Sequence, residues 1–149
     1  MKRIALFALV AVLALPACGG EVDPARTPAG SAQVRLLEDL YNGRFGQAYA
    51  DLHPSHQTIV PRALFVRCVR ETVAVGALDS IEILDVFDDE TRGLLLGGEP
   101  TKGVRIRLTF KDGQTDGPFV RHEVKVGERW RWVLNQAAIE AYKAGRCPG

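Results

Sequence analysis

The hydrophobic period of this chain changes from helical to strand-like near Gly76, and that change fixes the order in which a fold can be assembled. Upstream the period is helical. Val34, Leu37, Tyr41, Phe45, Ala48 and Leu52 recur at intervals of three or four residues, which places them on one helical face. Asn42, Gly43 and Gly46 interrupt good helix formers. The spacing therefore predicts one helix from Ser31, as N-cap, to about Tyr41, and a second short helix to about Leu52. His53, Pro54, Ser55 and His56 read as a solvated loop. Pro61 suits the first turn of a further helix with Leu64, Phe65, Cys68, Val69 and Thr72 turned inward.

Downstream the period is two. Residues 80–87 read as a first strand. Val104, Ile106, Leu108 and Phe110 alternate with Arg105, Arg107 and Thr109. Val120, His122, Val124 and Val126 alternate with Arg121, Glu123 and Lys125, and residues 129–134 make a last strand after a Gly127–Glu128 turn. The even positions are expected to face the helices. Asn135 caps a final helix that Gly145 stops. Residues 88–103 form a long loop in which Leu94, Leu95 and Leu96 could add a strand. Helices first and antiparallel strands afterwards predict an α+β fold. N-terminal helices pack on a curved sheet of about four strands, followed by a short C-terminal helix. The 149 residues suit one domain over 31–149.

The first thirty residues carry a different message. Met1, Lys2 and Arg3 are followed by twelve residues without a polar side chain, too few for a stable membrane span but the proportions of a signal-peptide core. Leu15, Pro16, Ala17 and Cys18 resemble the bacterial lipobox. The resemblance implies removal of residues 1–17, lipidation of Cys18 through a diacylglycerol and acyl (palmitate) chains, and export to the bacterial cell membrane. Residues 18–30 are poor in apolar side chains and read as a flexible tether.

With Cys18 committed to lipid, Cys68 and Cys147 remain. In an oxidising compartment they are expected to pair as a disulfide, clamping the last helix to the helical layer. Nineteen Lys and Arg against eighteen Asp and Glu give a net charge of +1, so no bulk attraction to nucleic acid is expected. The sequence has no His-Glu-x-x-His helix, no Gly-x-Ser-x-Gly elbow and no phosphate loop ending in Gly-Lys-Ser/Thr. No metal site and no cofactor are expected. Arg105, Arg107, Arg121, Lys125, Arg129 and Arg131 fall on the odd positions of three strands and form a candidate anion-facing surface.

The stretch LLEDLYNGRFGQAYADLHP, together with VGERWRWVL, resembles the opening helices and the last aromatic hairpin of the nuclear-transport-factor-2-like, or cystatin-like, proteins. The resemblance spans about residues 33–134 and implies a cone-shaped pocket between sheet and helices. Tyr41, Tyr49, Asp85, His122 and Trp132 are the candidate pocket residues. No acid–base constellation of the family's enzymes can be matched residue by residue. The reading is thus a membrane-anchored envelope lipoprotein with a non-catalytic binding or structural domain, taking a small hydrophobic ligand or an envelope protein. The alternatives are a small ketosteroid-isomerase-like enzyme with His122 or Asp85 as base, and a protein-interaction module.

Overall fold

The computed structural model describes residues 22–90 and 99–149. The expected signal peptide over 1–17, Cys18 and the leucines at 94–96 lie outside the described residues. The helical layer comprises α1 (Pro28–Tyr41), α2 (Phe45–Ala50), α3 (Pro54–Gln57) and α4 (Arg62–Thr72). Four strands follow, β1 (Leu78–Asp88), β2 (Thr101–Phe110), β3 (Thr115–Val126) and β4 (Arg129–Trp132), and then α5 (Gln136–Lys143). The strands pair in sequence order as one antiparallel meander, so the α+β architecture expected from the change of period is present.

Three details correct the sequence reading. Ordered structure begins before residue 31: Pro24–Arg26 forms a 3-10 turn, and Thr27, not Ser31, caps α1 by accepting from the Gly30 N–H. Ala29 and Gly30 are buried there, so the tether expected over 18–30 is folded from Pro24 onward. Gly30 has no room for a side chain, since a Cβ would run into the Pro24 carbonyl.

The segment read as a solvated loop contains α3, and its two histidines are core residues, 3% and 0% exposed for His53 and His56. Both accept backbone N–H groups at Nδ1: His53 from Ser55 at 3.2 Å and His56 from Leu134 at 3.0 Å. A neutral imidazole that accepts at Nδ1 carries its proton on Nε2. Burial lowers the His53 pKa, partly opposed by Glu99. Proximity in sequence to Pro54 signalled a turn, but the pairing of Leu52 with Trp132 pulls that turn under the sheet edge.

The third correction concerns β3. Val104 pairs with Arg121 and Ile106 with Phe119, while Gly103 pairs with His122 and Arg105 with Val120. Directly opposed residues share a face. Val104 and Ile106 are fully buried against the helices, so Phe119, Arg121 and Glu123 point to the helical side and Val120 and His122 to the other. Val120 is accordingly 41% exposed, whereas Glu123 is 1% exposed. The even-in expectation holds for β2 and fails for β3, because a register shift between Ile106 and Leu108 resets which residues oppose each other. Gly117, with φ of 105°, makes that bend: a Cβ there would lie 2.6 Å from the Ile106 carbonyl oxygen.

Candidate binding groove

β3 is twelve residues long and β4 only four, and they pair solely from Glu123 to Val126. Beyond that point the chain leaves the sheet, with the Val133 N–H donating to the His122 carbonyl at 3.3 Å. In an antiparallel strand a residue's N–H and C=O point to the same side. Val120, two residues earlier, therefore turns its backbone to the side where β4 has already ended.

Helices, not a strand, fill that side. Phe65, Val69 and Val73 of α4 and its end, Ala138 and Tyr142 of α5, Leu40 of α1, and Trp132 to Leu134 enclose a groove of about 420 Å³ against residues 119–122 of β3. The size and the apolar lining suit a small ligand, for which pockets of about 300–1,000 Å³ are usual. The disulfide between Cys68 and Cys147, with Cα atoms 5.2 Å apart, ties the chain after α5 to α4 beside it. The expected pairing is thus present.

The groove's aromatic wall is fixed by hydrogen bonds. Trp132 donates Nε1–H to the Ala48 carbonyl at 2.7 Å and lies 5.8 Å, centroid to centroid, from Phe65. Tyr49 also packs tilted against Phe65, centroids 5.6 Å apart, and donates its hydroxyl to the Val60 carbonyl at 2.8 Å. Each buried polar tip is satisfied, so these rings are held in place without a ligand.

Arg121 is the single Lys or Arg among the lining residues, which include no Asp or Glu. Its guanidinium sits 5.8 Å over the Phe119 ring. Among the described residues no carboxylate lies within ion-pairing distance of it. Burial lowers its pKa, opposed by Tyr41, Glu123 and Asp116. Two residues along, both Glu123 carboxyl oxygens are buried without a hydrogen-bond partner, as are both polar atoms of Gln33 on α1. Burial pushes the Glu123 pKa up to about 8, with Arg35 and Arg121 pulling it down and Asp51 adding to the rise. The sequence offered Glu123 as an outward residue; the β2 register is the signal that places it inside.

The predicted pocket set is divided. Trp132 and the β3 edge at His122 line the groove. Tyr49 supports it from behind, and Tyr41 lies in contact range of both apolar clusters, its ring 5.8 Å from Phe110. Asp85 opposes Arg105 on the far face of the sheet. His122 also projects to that face, away from the helices, where its Nε2 is 2.9 Å from Asp89.

The predicted row of six cations is likewise broken up. Arg107 bonds Glu82 at 3.0 Å, and Arg129 and Arg131 converge on Asp51 at 3.1 and 2.8 Å. Arg105 lies over Phe87 at 5.6 Å, a placement Gly103 permits by having no side chain beneath that ring. Lys125 shares its face with Trp130, and Arg121 is on the helical side.

Among the described residues no group of three His, Cys, Asp or Glu side chains is placed to hold a metal ion, and no helix is long and apolar enough to cross a membrane. The chain matches no protein-family model and no curated protein sequence.

Proposed function

We propose that this chain is an exported, membrane-anchored lipoprotein whose single domain, of the nuclear-transport-factor-2-like kind, binds a small apolar ligand without transforming it. The observation that carries the binding reading is the groove between α4, α5 and the unpaired edge of β3, lined mostly by apolar side chains, with Cys68 of the disulfide among them. The lipobox-like residues ending at Cys18 support the anchor. An acyl anchor gives roughly 0.8 kcal/mol per buried methylene, enough to hold a domain at the bilayer surface.

The enzyme reading draws on one feature, the pairing of His122 with Asp89. A carboxylate orients a histidine well for proton transfer. The imidazole, however, projects from the opposite face of β3 to Arg121 and Trp132, so the base and the groove's ligand would lie on two sides of one strand. Binding is therefore the better use of this geometry.

Two measurements test the proposal. Cys18→Ala should release the protein from the membrane fraction. Native mass spectrometry of the exported protein should show a co-purifying small molecule that is lost when Val73→Trp fills the groove. A protein equally membrane-bound after Cys18→Ala defeats the anchor, and a groove that never carries an apolar molecule defeats the binding role.

A further inference from the structure

The groove's occupant must satisfy the groove's charge as well as its apolar walls. Seventeen residues line it, and among them are one arginine, no lysine and no acid. On the sheet's other face Arg107 pairs with Glu82 and both Arg129 and Arg131 with Asp51, while Arg105 lies over Phe87. Arg121 is not answered: it rests over Phe119 with no carboxylate in ion-pairing distance among the described residues. Its nearest acid along the strand, Glu123, has its pKa raised by burial, and neither of its carboxyl oxygens makes a hydrogen bond to the guanidinium. A guanidinium set among apolar walls, with five donors and no anion, is incomplete as it stands.

We propose that the groove takes a single-chain amphiphile bearing one carboxylate, with its head on Arg121 and its tail along Phe65, Val69, Trp132, Ala138 and Tyr142. The inference rests on the binding role proposed above and adds the ligand's class. A planar carboxylate can accept two parallel N–H bonds from the guanidinium, and such pairs gain strength where water is excluded. The tail needs only apolar surface, which α4 and α5 supply from two sides. An alcohol of the same length would keep the tail contacts and lose the charged pair. A quaternary ammonium would be repelled by Arg121.

The test uses the full chain carrying Cys18→Ala, with the disulfide oxidised, and tetradecanoate, tetradecanol and tetradecyltrimethylammonium below micelle-forming concentrations. Trp fluorescence reports occupancy, since Trp132 lines the groove. Tetradecanoate should bind one to one and about tenfold or more tighter than tetradecanol, the scale of one charge-assisted contact. The cation should not compete. Arg121→Gln should remove the preference for acid over alcohol, and Arg121→Lys should restore part of it. The parent's preference is readable even if Arg121→Gln folds poorly. Equal binding of acid and alcohol by the parent, or binding of the cation, overturns the carboxylate inference and leaves the groove's binding role standing. Binding of none of the three overturns both.

Discussion

The domain has two apolar clusters that draw on the same helix and the same sheet, and they end differently. One lies beneath β1 and β2, where Ile83, Val104, Ile106 and Leu108 meet Ala29 and Leu37 of α1. Its strands are paired along nearly their whole length. The other gathers Leu36 and Leu40 of α1 with Phe45, Ala48, Phe65, Cys68, Trp132, Ile139 and Tyr142. There β4 stops after four residues, and helices stand where a strand would have continued. Helices set against a strand edge cannot match its backbone spacing, so the second cluster stays open as a groove. Gln33 and Glu123, buried and unpartnered, belong to neither cluster's apolar set. Closure comes from backbone pairing, and the open cluster has a covalent bond in place of it.

That contrast is broken most directly at the disulfide. Cys68 and Cys147 are 79 residues apart, and a loop of that size is worth about 4.5 kcal/mol in the chain-entropy model. Cys147→Ser should lower the unfolding midpoint by more than any single groove-lining truncation does. Free-thiol titration and thermal unfolding of the exported protein check it. Native protein that labels fully at Cys68 contradicts the bridge, and an unchanged midpoint contradicts its mechanical role.

The closed cluster should yield the next largest effect. Ile106 is fully buried between paired strands and α1, with no opening through which neighbours could relax. Ile106→Ala should cost about 2–5 kcal/mol, the transfer loss plus a residual cavity. Denaturant unfolding measures it. A loss under about 1 kcal/mol would show that this cluster collapses as freely as an exposed site and is not closed.

Glu123 tests what lies outside both apolar sets. Burial pushes its carboxyl pKa up to about 8 in the fold, whereas in the unfolded chain it titrates near its ordinary value of 4.5. Between those values the folded state binds more protons, so stability should fall as pH rises through that window. The slope from this one group is at most about 1.4 kcal/mol per pH unit. Glu123→Gln keeps the shape, removes the titrating proton, and should flatten the profile between about pH 5 and about pH 8 to that extent. A slope untouched by the substitution assigns the pH dependence elsewhere.

The sequence was most informative where periodicity and backbone pairing agree. The helical stripe through Leu37, the β2 alternation and the Asn135 cap are read directly, and the cap is seen as Asn135 Oδ1 accepting from Ala138 at 2.8 Å. It misled where apolar residues occupy both faces. Val120, Val124 and Val126 look like an inward row, yet Val124 is buried on the far face among Leu52, Val60 and Leu134. A one-residue register shift inverts a strand's faces, and no pattern of Val and Arg within β3 reveals a shift located in its pairing with β2. The histidines of α3 were misread for a related reason. Their burial depends on Leu52 pairing with Trp132, eighty residues away, which local sequence does not contain. Arg121 as a groove cation inherits both lessons.

The smallest effect should come from the groove's own wall. Val73 follows α4 as its C-cap in extended backbone, with φ of −93° and ψ of 120°, and its side chain is half-buried against the open cluster. Truncation to alanine removes two methyl groups from a surface that already faces a void. No enclosed cavity forms, because the space created merges with the groove, so only part of the transfer term is lost. Val73→Ala should therefore change stability by about 0.5 kcal/mol or less, against several for Ile106→Ala. The same substitution widens the groove beside the expected tail path and should weaken an apolar ligand more than it weakens the fold. Parallel unfolding and ligand titrations of the two variants decide the matter. If Val73→Ala destabilises as strongly as Ile106→Ala, the second cluster is as closed as the first and the groove is not a binding site. If it is silent in stability and visible in binding, the open end of the sheet is where this domain does its work.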